Sequence, residues 1–320
     1  MKVVIPMAGR GTRLRPHTLT LPKPLMKIAG KSMIEWIVDE IKQSSDTPVD
    51  EVHFIIGNFG EHIEKMLIDT AEKIGATGHI HYQLEALGTG HALYCARKAL
   101  QDEVFVVFAD TIFKGSIAID KNVDGIIWTM NVDEPEKYGV VKTDADNIIT
   151  DFIEKPKELV SNNAIVGLYY FKEAQKLRKE LDLLIENDAR ENNEYQLTNC
   201  LESLKDNGDK LKCAALNEWL DCGNKQELLA THGRILEIEF PEKTIYVANS
   251  AKVDNTKIGK HVSIGEDVHI INSKIENSII YPGAIIKDST ITNSIIGHHC
   301  VVEGLDGSVF LGDYSEYAKA

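Results

Sequence analysis

The chain has 320 residues, 43% of them hydrophobic, enough for a sizeable core and a length that suggests two domains. A net charge of −14 argues against nucleic acid or an anionic membrane as partner. The five widely spaced cysteines (Cys95, Cys200, Cys213, Cys222, Cys300) form no C-x-x-C pair, and their odd number and spacing suit reduced thiols in a cytoplasm better than a disulfide framework or a cysteine zinc site.

The first element is a short apolar run, Val3–Met7, of buried-strand length and far too short to span a membrane. Lys2 leads straight into it, leaving no room for a cleaved signal, so the expected location is cytoplasmic. Gly9 and Gly11 follow, with Thr12, Arg13 and Lys23. Glycines let backbone N–H groups approach an anion closely. Seven cations (Lys2, Arg10, Arg13, Arg15, Lys23, Lys27, Lys31) precede the first acid, Glu35, a local reversal of charge that reads as a polyphosphate pocket. A dinucleotide fingerprint fails because Gly9-x-Gly11 runs into Leu14 and a proline-broken loop. A Walker A loop fails because its first glycine would fall at Leu25.

Beyond the loop, Ser32-x-x-Glu35 predicts a capped helix carrying Ile34, Ile37, Val38 and Ile41 on one face. Glu51–Ile56 reads as a strand; Ile63, Met66, Leu67, Ala71 and Ile74 mark a second helix. His79–Gln83 is a short strand, a third helix carries Ala92, Leu93, Ala96 and Leu100, and Val104–Ala109 is a strand ending at Asp110. This alternation implies an α/β domain with a Rossmann-like, mostly parallel sheet and its ligand site at the strands' C-terminal ends. From Gly125 to Phe171 the chain turns strand-rich, followed by helices at 172–186 and 194–204, a strand at 212–216 and a helix after Gly223. Beyond Pro241, Val253, Ile258, Ile264, Ile270, Ile275, Ile280, Ile286, Ile291, Ile296 and Val302 recur every five or six residues, a hexapeptide signature for a short left-handed parallel β-helix. The expected division is a catalytic domain at 1–236, a linker at 237–250 and the β-helix at 251–312.

The string Gly9-x-Gly11-Thr12-Arg13-Leu14-Arg15-Pro16 with Lys23-Pro24-Leu25 resembles the signature loop of sugar-1-phosphate nucleotidylyltransferases. Ala8 stands where many members carry glycine, and Pro6-Met7 is a further departure. The second motif, Gln83 to Gly88-Thr89-Gly90, resembles the base-reading segment of uridylyl- and thymidylyltransferases. A Gln amide both donates and accepts, which matches O4 and N3–H of a pyrimidine. Tyr138-Gly139, Glu154-Lys155-Pro156 and Asn163–Tyr169 resemble the sugar half of glucose-1-phosphate thymidylyltransferases, with Val166 where that family usually has threonine. Glu194–Thr198 echoes another family segment that is equally readable as structural.

The resemblance implies Ala8, Gly9, Gly11, Thr12, Arg13, Gln83, Gly88 and Thr89 as nucleotide-binding, and Gly139, Glu154, Lys155 and Gly167 as sugar-binding. It implies Arg13, Lys23, Asp110 and Lys155 as catalytic, and Asp110 with Asp221 as ligands of Mg2+. The implied reaction takes a nucleoside triphosphate (dTTP or UTP) and a hexose 1-phosphate, with glucose 1-phosphate favoured, and the expected protein is a homo-oligomer. Alternatives are a mannose-1-phosphate guanylyltransferase, a bifunctional uridylyltransferase with acyltransferase activity, and a non-catalytic regulatory homologue. The last is expected to lack Lys23, Asp110 or Asp221, and all three are present. His79 and His81 share a strand face, and His298-His299 lie in the repeats. Neither pair has a carboxylate or Cys partner at metal-ligand spacing, so both read as ordinary core or surface histidines.

Overall fold

A computed structural model describes residues 1–9 and 11–319; Arg10, one of the seven cations, lies outside them. The chain divides into two compact units, Met1–Gly9 with Ile37–Trp219, and Arg10–Trp36 with Leu220–Ala320.

The first unit is built on a nine-stranded sheet. Four parallel strands run side by side in the order Val104–Val107, Lys2–Pro6, Glu51–Ile56, Thr77–Tyr82, the last being an edge. The central three are almost wholly buried, as strands covered on both faces must be. The helices Glu61–Lys73 and Thr89–Cys95 serve as crossovers. The third is shorter than its apolar pattern, although Ala96, Ala99 and Leu100 stay buried in the turns beyond it. From Gly125 onward the sheet becomes mainly antiparallel: Asn163–Phe171 pairs with Val104–Val107, Gly125–Asn131 and Gly139–Thr143, and Ile149–Glu154 pairs with Gly139–Thr143. Leu211–Ala215 runs parallel to Gly125–Asn131. The helices Ala174–Glu186 and Leu197–Asp206 bury Leu177, Leu181, Leu197, Leu201 and Leu204 in a core shared with Val4, Ile55, Leu93 and Val106.

In the second unit, Ser32 and Glu35 form the expected reciprocal cap: the Ser32 N–H donates to Glu35 Oε2 at 3.0 Å and the Glu35 N–H to Ser32 Oγ at 3.3 Å. The helix Lys225–Glu239 opens with a second capping box, Asn224 and Glu227. Parallel strands from Ile245–Val247 to Glu316–Ala318 then stack as a β-helix, so its first strand begins inside the stretch read as linker. Ile264, Ile280 and Ile296 lie in register in successive coils, as do Ile270, Ile286 and Val302, and together they fill the interior. Two buried serine ladders accompany them. Ser278 Oγ accepts from the Ser294 N–H sixteen residues on, and Ser294 Oγ accepts from the Val309 N–H; Ser273, Ser289 and Leu305 repeat the arrangement. At the corners Asn255, Asn272, Asn277 and Asn293 take positive φ, and Asn side chains bond from coil to coil.

Candidate functional site

In the first unit the expected rim forms where four parallel strands end. The Met7 N–H donates to the Ile55 carbonyl at 2.8 Å, and the Ala109 N–H to the Pro6 carbonyl at 3.3 Å. Ala8 and Gly9 therefore leave the sheet beside Gly57 and next to the turn that carries Asp110, whose side chain is exposed. Gly167 lies against this turn: its carbonyl accepts the Phe108 N–H at 2.9 Å, and Thr111 Oγ1 donates to the Val166 carbonyl at 2.6 Å. Val166 itself is buried.

Gly139 and Glu154 face each other across a strand pair, and a Cβ on Gly139 would lie 3.0 Å from Glu154 Oε2. Lys155 Nζ stands 3.7 Å from Glu154 Oε1. Burial raises the Glu154 carboxyl above the ordinary glutamate range, with Lys155 opposing the shift and Glu191 and Glu194 adding to it. The buried Tyr169 phenol is pushed up by burial and further by the charges of Glu154 and Asp110. One tyrosine on the Gly167 strand thus lies in the field of both the expected sugar-binding carboxylate and the expected metal-binding carboxylate. Tyr169 closes the third sequence motif but was given no role there, because its charged neighbours come from two other segments.

The loop expected to read the base is held from behind by the segment around Tyr195. The Tyr195 N–H donates to the Leu87 carbonyl and the Gly90 N–H to the Tyr195 carbonyl, both at 2.8 Å. The Leu197 N–H donates to Thr89 Oγ1 at 3.0 Å, so the Thr89 hydroxyl is engaged in this clamp. Gly88 has φ 103° and ψ 177°, a region open essentially only to glycine. The segment 194–198, readable as structural from sequence, therefore shapes the loop expected to bind the nucleotide, and Thr198 also approaches Gly139.

Gln83 is engaged locally. Its Nε2 donates to the Gly88 carbonyl at 3.0 Å and to His91 Nδ1 at 3.1 Å. Both amide hydrogens are thereby engaged by groups close in the chain, which leaves the carbonyl oxygen for the expected base contact.

In the second unit, Gly11 sits so close to Lys23 that a Cβ there would lie 2.9 Å from Lys23 Cβ, and Thr18 Oγ1 closes the turn on the Gly11 carbonyl at 2.7 Å. Thr12 and Arg13 are exposed in a 3-10 turn, and Lys23 is half-buried. Thr20 Oγ1 donates to Asp313 Oδ2 at 2.6 Å and the Tyr281 hydroxyl to the Lys27 carbonyl at 3.1 Å, so β-helix side chains brace the signature loop. Asp221 is oriented locally: its Oδ1 accepts the Gly223 N–H at 2.8 Å and its carbonyl accepts Thr231 Oγ1 at 2.6 Å. Aspartate oxygens at 110 and 221 are hard donors of the type Mg2+ prefers.

Among the described residues no helix is long and apolar enough to cross a membrane, and none of the five cysteines is in a disulfide. Residues 2–237 match the Nucleotidyl transferase family. The bifunctional protein GlmU of Methanococcus maripaludis is 32% identical over 91% of this chain and 62% of its own length. The chain thus spans about three fifths of that relative. A rice (Oryza sativa) protein provisionally called mannose-1-phosphate guanylyltransferase 3 is 30% identical over 94% of this chain and 87% of its own. A crystal structure of a Bacillus anthracis protein, provisionally called a glucose-1-phosphate thymidylyltransferase, superposes with a TM-score of 0.62 over 73% of this chain and 94% of that one. At 23% identity that likeness speaks to the fold alone. With the signature loop, the parallel sheet and the C-terminal β-helix in place, the chain belongs to the nucleotidyl transferase family and resembles its sugar-1-phosphate nucleotidylyltransferases.

Proposed function

We propose that the protein transfers a nucleotidyl group from dTTP or UTP to a hexose 1-phosphate, glucose 1-phosphate being favoured, and releases pyrophosphate. The observation that carries this reading is the family match over residues 2–237, with the Gly11-Thr12-Arg13 and Lys23-Pro24-Leu25 signature inside it. An oxygen of the sugar phosphate attacks the α-phosphorus, the α–β anhydride bond breaks, and pyrophosphate leaves. The attacking oxygen is already anionic, so no Ser or Cys nucleophile and no strong base is required. The protein's part is positioning and charge neutralisation.

Arg13 binds the β- and γ-phosphates, and Lys23 and Lys155 bind the phosphates that react. Glu154 accepts from sugar hydroxyls, while Gly139 and Gly167 leave room for the ring. Asp110 and Asp221 would hold Mg2+, which when bound neutralises phosphate charge. Gln83 Oε1 accepts from N3–H of uracil or thymine, and O4 requires a donor other than Gln83. Adenine presents an acceptor, N1, where N3–H would lie. Two acceptors would then face each other, at a cost of about 1–3 kcal/mol. Guanine has a donor at N1, so its rejection rests on the size of the purine rather than on its edge.

That last point, with the similarity to a guanylyltransferase-type relative across 94% of the chain, makes GTP with mannose 1-phosphate the second reading. The β-helix is proposed to support a homo-oligomer, which light scattering tests. Acetyl transfer from acetyl-CoA would instead support the bifunctional reading. The mechanism is tested by Asp110→Asn and Asp221→Asn, each of which should remove most of kcat with the fold unchanged. Full turnover in EDTA would sink it.

A further inference from the structure

The strands Glu51–Ile56 and Thr77–Tyr82 pair in parallel, with His53 opposite His79 and Ile55 opposite His81. Side chains alternate across a strand, so Glu51, His53, His79 and His81 share one face of the sheet. The opposite face is taken by the helix Glu61–Lys73: a Cβ on Gly78 would lie 2.9 Å from Ile68 Cα. The cluster runs along this face from Glu51, where its strand begins, through His53 and His79 to His81, two residues before Gln83.

Glu51 Oε2 lies 2.9 Å from His53 Nε2 and 3.7 Å from His79 Nε2. The three donor atoms fall within 4.8 Å of one another. Zinc bonds of 2.0–2.1 Å at tetrahedral angles place donors about 3.3 Å apart, so these spacings bracket what an ion requires. His53 is buried, and its other ring nitrogen, Nδ1, lies 3.0 Å from His81 Nε2. A donor bond from Nδ1–H to His81 would fix the tautomer that leaves Nε2 unprotonated. Metal-bound histidines usually donate their other ring N–H in this way to a carboxylate, carbonyl or water, and here the acceptor would be the His81 imidazole. Packed rings hold the geometry: His53 and His79 stack at 4.6 Å between centroids.

We infer that Glu51, His53 and His79 form a binding site for a zinc-like divalent transition ion, with His81 as the outer hydrogen-bond partner of His53. Two imidazoles and one carboxylate select such an ion over Mg2+, which prefers oxygen donors throughout. The site would pin the edge strand Thr77–Tyr82 to its neighbour, and it is independent of the proposed transfer reaction.

The full-length protein, stripped with a chelator and desalted, is titrated with Zn2+ by calorimetry in excess Mg2+. The expected result is one Zn2+ per chain with saturable binding and a higher thermal midpoint in Zn2+. Glu51→Gln and His79→Gln should each raise Kd at least tenfold. The His79 side chain is 42% exposed, so His79→Gln spares the core, and far-UV circular dichroism checks both folds. Absence of saturable binding by the wild type, or Kd values unchanged in both variants, would overturn the assignment.

Discussion

Gly88→Ala tests how the nucleotide loop is held. An added Cβ would lie 2.6 Å from the Tyr195 carbonyl oxygen and 2.9 Å from both the Tyr195 nitrogen and Glu194 Cβ. Two of these are backbone atoms and cannot swing aside like the end of a long side chain. The φ of 103° costs an alanine about 1–3 kcal/mol. Relieving the clash parts the loop from Tyr195 and breaks the two 2.8 Å backbone bonds, each worth about 1 kcal/mol net. The expected total is about 3–5 kcal/mol. Gly60 supplies the control, with φ 87° and ψ 159° but nothing within 4 Å of its Cβ. Gly60→Ala should lose only the strain, about 1–3 kcal/mol. Urea unfolding of both variants, with steady-state kinetics against the triphosphate, separates strain from clash. Gly88→Ala should also raise the triphosphate KM at least tenfold, with Gly60→Ala near wild type. If Gly88→Ala costs no more than Gly60→Ala and leaves that KM unchanged, the clamp does not hold the loop.

Gln83→Leu removes both the proposed base contact and the bond to the Gly88 carbonyl, so KM for the pyrimidine triphosphates should rise more than KM for the sugar phosphate in two-substrate kinetics. Ser278→Ala strips the acceptor from the buried Ser294 N–H and should cost about 1–3 kcal/mol, read from denaturant midpoints; a neutral result would mean that the ladder is ornamental. His17, His53 and His232 are buried and lowered from 6.5 to about 4, about 4 and about 3, chiefly by desolvation. The unfolded chain therefore binds more protons on these rings below pH 6.5, so stability is full above that value and falls as pH drops from about 6.5 towards 4. Both His232 ring nitrogens lack a hydrogen-bond partner among the described residues. His232→Leu should be neutral or stabilising at pH 7 and should flatten the acid limb, and an unchanged slope between pH 6.5 and 4.5 would contradict this.

Much of the fold was legible because its signals are local and periodic. Glu51–Ile56 is the predicted strand, the Ser32/Glu35 cap opens the predicted helix, and the isoleucine recurrence marks the coils. What stayed hidden depends on pairing between distant segments. His79 and His81 were correctly placed on one face, but Glu51 and His53 join them only through strand register, which spacing does not disclose. The clamp on Gly88 and the engagement of both Gln83 amide hydrogens likewise depend on groups brought in by folding. The serine ladders had a sequence trace in the repeated Asn-Ser-Ile-Ile at 277–280 and 293–296. The switch to antiparallel pairing after Gly125 had none, because alternation alone does not give strand direction.

Nucleotidyl transfer to a sugar 1-phosphate is tested most directly by pyrophosphate release from purified protein, across dTTP, UTP, GTP and ATP with glucose 1-phosphate and mannose 1-phosphate. The expected result is turnover of dTTP and UTP with glucose 1-phosphate, with kcat/KM for GTP and ATP lower by at least about tenfold, equivalent to about 1.4 kcal/mol. Activity should vanish in EDTA. A clear preference for GTP with mannose 1-phosphate would contradict the base assignment, and no pyrophosphate from any pair would contradict the reaction itself.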